Sequence, residues 1–195
     1  MKLLSILLTF WVGWWGGPTY EKWDVKFDKD SYLYIDGATN LNTFSCAYSA
    51  SEMEDKTEVL LAIDELQNFH FRQAILPIVI KRLDCHNSLM NSDLRELLQE
   101  EEYPKLFLVL KDLTHAGLND KYYLKLSLKV AGVMKHMEIP VMLFQKENSN
   151  RVVGSFDFKL TDFGLHPPSR FFGAVKVDNT VKISFSVLIE PSKEI

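Results

Sequence analysis

The second half of the chain alternates apolar and polar residues with a period of two. In the stretch RVVGSFDFKLTDFG, Val152, Gly154, Phe156, Phe158 and Leu160 share one parity, and Ser155, Asp157, Lys159 and Thr161 the other. NTVKISFSVLIEP repeats the pattern. There Val181, Ile183, Phe185, Val187 and Ile189 alternate with Lys182, Ser184, Ser186 and Glu190, Leu188 being the apolar exception. Successive side chains of a strand point to opposite faces, so this text predicts strands dry on one side and wet on the other. KLFLVLKDL sets Leu106, Leu108 and Leu110 on one face, and DKYYLKLSLKVAG sets Leu124, Leu126, Leu128 and Val130 against Lys125, Ser127 and Lys129. MEIPVMLFQKE reads as a further strand. The intervening THAGLND, ENSNR and VDN have turn composition, the last between AVKV and VKISF. Strand following strand through short turns predicts an antiparallel sheet, and long strands with one dry face must enclose an interior or pack on a second sheet.

The first half is less regular. SYLYIDGATN and LNTFSCAYSA read as short strands, the second with Phe44, Cys46 and Tyr48 on one parity. VLLAIDELQNF reads as a helix by its leucines or as strand text broken by Asp64 and Glu65. AILPIVIKRL is β-rich, and Pro77, which donates no ladder hydrogen bond, marks an edge or a bulge. One amphipathic helix is predicted near residues 91–99. Asn91 or Ser92 serves as its cap and Asp93 lies in its first turn. Met90, Leu94, Leu97 and Leu98 form its stripe, and Pro104 closes the segment. The Leu94, Leu97 and Leu98 face is expected to pack on the sheet, making the helix a lid or plug for one end.

The chain has 195 residues, 47% apolar and 25% charged, with a formal net charge of -4. This suits one domain with a sizeable core, and no basic stripe suggests a nucleic-acid partner. Lys2 precedes an apolar run through Trp15, and no acidic residue occurs before Glu21. The pattern predicts an export signal or hydrophobic leader over residues 1–19, ahead of a single domain over 20–195. The run is too short for a comfortable membrane span. Two cysteines, Cys46 and Cys85, read as one disulfide in an exported chain, or as two buried thiols otherwise.

Catalytic signatures are missing. There is no G-x-S-x-G, P-loop or H-E-x-x-H, and the string Asp162–Gly164 lacks the rest of a kinase set. The five histidines, His70, His86, His115, His136 and His166, show no metal-ligand spacing. What remains is the dry face itself, uniformly apolar and bulky. Periodicity allows either a packed core or a barrel with an elongated apolar cavity.

The run from Ala74 to Pro191 resembles the YceI-like family of bacterial envelope proteins. The matching pieces are CHNSLMNSDLRELLQEEEYPKLFLVL, LKVAGVMKHMEIPV, GSFDFKLTDFGLHPP and VKISFSVLIEP, with DGATNLNTFSCAY resembling the first hairpin of cysteine-carrying variants. The resemblance implies an all-β fold, an extended antiparallel β-barrel similar to lipocalins, with the one short helix. It also implies a secreted or periplasmic binding protein that holds an isoprenoid quinone, polyprenyl or fatty-acid derivative in its cavity. No enzyme activity, metal or cofactor beyond a bound lipid or isoprenoid follows from it. The other partners expected are transient membrane contact and, in a homodimer rather than a monomer, a second copy. On parity, the cavity wall comprises Phe44, Leu106, Leu108, Leu126, Leu128, Phe156, Phe158, Ile183 and Phe185. The competing reading is a structural or interaction module of the envelope with a filled barrel core.

Overall fold

The computed structural model describes residues 18–26, 28–48, 56–117, 120–146, 149–167, 169–170 and 175–192. Residues 1–17, most of the expected leader, lie outside them. Among the described residues the strands are β1 (Glu21–Lys26), β2 (Tyr32–Ala38), β3 (Thr43–Tyr48), β4 (Thr57–Ile63), β5 (Phe69–Arg72), β6 (Ile75–Val79) and β7 (Leu83–Asp84). The helix α1 (Ser88–Leu97) follows, then β8 (Lys105–His115), β9 (Lys121–Val130), β10 (Val133–Lys146), β11 (Ser149–Lys159), β12 (Ser169–Arg170), β13 (Val175–Lys176) and β14 (Thr180–Pro191).

Every pairing is antiparallel, and the sheet closes on itself because β14 pairs β11 on one side and both β1 and β2 on the other. β2 takes Lys182–Ser186 of β14, and β1 takes Leu188–Pro191. β1 and β2 are therefore one interrupted stave. β3 and β4 form the next, since β3 pairs β2 and β4 pairs β1. β5, β6 and β7 form a third, with β5 and β6 on β8 and β7 on β3. With β8, β9, β10, β11 and β14 this makes a closed eight-stave barrel, which leaves no continuous open edge.

The interruptions have local causes. The break from β1 to β2 is knitted on the outer face by Arg151, whose guanidinium meets Asp28 at 2.5 Å and donates to the Oγ atoms of Ser31 and Ser186. Burial pushes the Asp28 carboxyl up, but its hydrogen bonds with Ser31 and Arg151 and the guanidinium charge outweigh this and hold it below the usual carboxylate range. Between β5 and β6, Gln73 takes a left-handed φ of 55°. Pro77 sits opposite Phe107 of β8, on a segment whose other side carries no ladder among the described residues.

VLLAIDELQNF takes the second of its two readings, strand text broken at Asp64: β4 ends at Ile63, Asp64 Oδ1 accepts from the backbone N–H groups of Leu66 and Asn68, and the chain folds back into β5. Other expectations need correction. The helix begins at Ser88 rather than near Asn91. Asn87 is the N-cap, its side chain accepting from Met90 N. Asn91 is occupied elsewhere, accepting from Cys85 N and donating to Asp84. AVKV does not hairpin onto β14; Val175–Lys176 pairs β12 in a separate two-stranded sheet.

The inward faces of the staves carry the core. Leu113 and Leu143 are fully buried, and Val25, Val59, Leu61 and Phe69 nearly so. Fully burying such side chains contributes about 1.5–3 kcal/mol each. The Cys46–Cys85 disulfide is formed, across 39 residues, and ties β3 to the segment that leads into α1.

Candidate functional site

Between its two packed ends the barrel is not filled. An apolar cavity of about 70 Å³ runs along the inward parity of the long strands. Its lining is spread along the length of the strands, so the space is a narrow slot. β8 supplies Leu106, Leu108, Leu110 and Leu113, and β9 supplies Leu124, Leu126 and Leu128. β11 gives Val152 and Phe156; β14 gives Ile183, Phe185, Val187 and Ile189. Leu33 and Ile35 of β2 and Phe71, Leu76 and Ile78 of the broken stave complete the wall. All eighteen side chains are apolar, and no titratable group lines the slot.

Seven of the nine positions chosen by parity line this lumen: Leu106, Leu108, Leu126, Leu128, Phe156, Ile183 and Phe185. Phe44 does not. It keeps the inward parity of β3, but it sits past the end of the slot, its ring folded over Gly37. There it lines a separate hollow with Cys46, Val175, Val177 and the Met90, Leu94 and Leu97 stripe of α1. The helix therefore covers Phe44 and the disulfide. Phe158 is also absent from the wall. It packs edge-on to Phe163 at 5.4 Å, beside Leu160 and Leu165, and helps close the end of the barrel to which β11 leads. At the opposite end Phe69 meets the Tyr122 ring edge-on at 6.1 Å and pairs with Leu113.

Sequence reasoning missed other wall residues for identifiable reasons. A bulge between Leu110 and Asp112 shifts the parity of β8, so Leu110 and Leu113 both face inward. Gln73 and Pro77 hide the alternation that carries Phe71, Leu76 and Ile78. Leu124, Val152, Val187 and Ile189 had the correct parity and were legible by continuing the stripes already drawn.

The titratable groups that do cluster lie on the outer wall. His70 is bracketed, with Nδ1 2.9 Å from Asp112 and Nε2 3.2 Å from Asp64. Hydrogen bonds to Asp112 and then Asp64 raise the His70 pKa above its ordinary 6.5. The Asp64 carboxyl is held at about 2, chiefly by the Asn68 backbone N–H and side-chain amide. Among the described residues no three His, Cys, Asp or Glu side chains are placed to hold a metal ion. Chemically, the lumen offers neither a nucleophile nor an acid–base pair. It offers an apolar solvent: each methylene moved there from water gains about 0.8 kcal/mol.

A closed eight-stave antiparallel barrel around an apolar slot, with one short helix at its end, is a lipocalin-like architecture. The model of the YceI-like domain matches residues 35–189, and the chain belongs to that family. The fold is shared with BcnA of Burkholderia cenocepacia, at a TM-score of 0.63 and 15% identity over 81% of this chain and 95% of that one. It is shared too with a polyisoprenoid binding domain from Saccharophagus degradans implicated in plant cell wall breakdown, at a TM-score of 0.61 and 11% identity over 87% and 98% of the two chains. A Campylobacter jejuni YceI protein superposes with a TM-score of 0.54 and 15% identity, covering 72% and 83%. Among curated proteins none matches.

Proposed function

We propose that the protein is an exported carrier that holds one long apolar chain, an isoprenoid quinone, polyprenyl or fatty-acid derivative, inside its barrel. The observation that carries this reading is the wall: eighteen apolar side chains surround unfilled space that no polar group enters. Protein interiors ordinarily pack to the density of organic crystals, and a long apolar slot departs from that. An apolar slot suits a ligand without internal polarity, its polar end remaining outside. The absence of any titratable lining group supports binding rather than catalysis. The polyisoprenoid-binding character of the Saccharophagus degradans domain supports the ligand class. The apolar run after Lys2 and the Cys46–Cys85 bridge support a periplasmic or secreted location, where disulfides persist. Loading would occur by transient contact with a membrane.

The slenderness of the slot favours a second reading, a structural module whose barrel closes around its own side chains. Titration with a fluorescent linear polyene fatty acid separates the two. The carrier binds it saturably at one site per chain, and Leu126→Trp, which fills the slot, removes that binding while the fold persists by circular dichroism. A barrel that never binds the probe is the structural module.

A further inference from the structure

The girth of the lumen is not set evenly around its wall. Phe185 of β14 faces inward, and its register partners are Gly154 on β11 and Leu33 on β2. Glycine inside a strand weakens it, because it loses the most chain freedom and packs nothing. Gly154 is not there for a backbone conformation reserved to glycine, since it is not among the positive-φ residues. The reason is space. A Cβ on Gly154 would lie 2.8 Å from Phe185 Cζ and 2.7 Å from Val141 Cγ1, closer than real side chains approach. The Phe185 ring occupies the place of the missing methyl, lying back against β11 instead of standing across the slot.

We propose that Phe185, seated on Gly154, is the gauge of the lumen: it fixes a cross-section that admits one linear apolar chain and excludes fused-ring lipids. This deepens the carrier reading and rests on it. At about 70 Å³ the slot is smaller than a long chain, so a ligand enters only by moving the wall side chains apart. A single acyl or prenyl chain threads such a slot by adjusting its torsions. A rigid fused-ring body cannot, and Phe185 is the wall ring that rests against a glycine. Removing the ring widens the slot; adding a methyl behind it drives the ring inward by several tenths of an ångström.

The test titrates the whole protein with two fluorescent probes, cis-parinaric acid as the linear chain and dehydroergosterol as the fused-ring lipid. The parent is expected to bind the linear probe and reject the sterol. Phe185→Ala should raise the ratio of sterol affinity to linear-probe affinity by about tenfold or more. Gly154→Ala should weaken the linear probe by about tenfold. The double variant should recover it in part, because the ring is gone and only Val141, 2.7 Å from the added methyl, must still give way. Near-ultraviolet circular dichroism and melting confirm that each variant is folded, and if Gly154→Ala is not, Phe185→Ala decides alone. A parent that binds the chain, with a Phe185→Ala sterol-to-chain ratio equal to its own, overturns the gauge and leaves the carrier reading standing. A parent that binds both probes alike also overturns it. A parent that binds neither overturns the carrier reading and the gauge together.

Discussion

Replacing both Cys46 and Cys85 by alanine should lower the melting temperature by roughly 8–16 °C. The magnitude follows from where the bridge sits. It closes 39 residues that include all of β4, β5 and β6, so in the unfolded chain it restrains a long loop. Loop-closure entropy for a loop of that length corresponds to about 4 kcal/mol at 25 °C. A protein of this size moves by about 2–4 °C in melting temperature for each kcal/mol. The native contribution is local. β3 and β7 are held together by only two register pairs, Ala47 with Asp84 and Tyr48 with Leu83, so the bridge reinforces a short seam. α1 hangs from the same place, through the hydrogen bonds of Asn91 to Asp84 and Cys85. Differential scanning calorimetry of the oxidised parent and the double variant measures the shift, and hydrogen exchange should show lost protection first at the backbone amides of Ala47 and Tyr48 and of position 85. Neither cysteine lines the lumen, so affinity for a lipid probe should be unchanged at temperatures where the variant is folded. A double variant melting within about 2 °C of the parent would refute the reasoning, because neither the loop term nor the seam would then matter.

Leu98, buried just past the end of α1, should be more sensitive than half-buried Leu97: Leu98→Asp should cost roughly 3 kcal/mol or more in chemical denaturation and Leu97→Asp less, and equal costs would mean that the stripe is read wrongly. Leu126→Asp places an unpaired charge against the lumen and should abolish folding or lipid binding, whereas Lys125→Gln, which removes an exposed 3.8 Å pair with Glu138, should change stability by no more than about 0.5 kcal/mol. Because the folded pKa of His70 is raised, its bracket stabilises fully below pH 6.5, the unfolded value, and that contribution is lost as pH rises through the folded pKa. The melting difference between parent and His70→Gln should therefore shrink on going from pH 6 to above pH 8, about the range where histidine titrates, and a difference constant with pH would contradict the bracket.

The parts of this barrel legible in the sequence are those where one physical rule acts alone. β9, β11 and β14 are long, unbroken and dry on one face, so parity placed Leu126, Leu128, Phe156, Ile183 and Phe185 on the lumen. The rule failed where a second influence entered. The extra residue at Lys111 moved Leu113 to the inner face, a change invisible without the partner strand. Phe44 and Phe158 have inward parity, but parity says nothing of position along the barrel axis, and both lie in the end packing. α1 is capped by Asn87 while Asn91 is committed to Asp84 and Cys85, a tertiary contact that local capping rules do not see. The interrupted staves were least legible: Asp64, Gln73 and Pro77 each break a strand pattern, and only closure of the sheet shows that the fragments belong together.

The most direct measurement is the lipid content of protein purified without detergent from the cells that make it. Organic extraction followed by mass spectrometry should recover close to one long-chain apolar molecule per barrel, and Leu126→Trp protein prepared alongside should yield none. Parent protein that is free of lipid, and that also takes up no added acyl or prenyl chain, would contradict the account and leave the barrel a structural module.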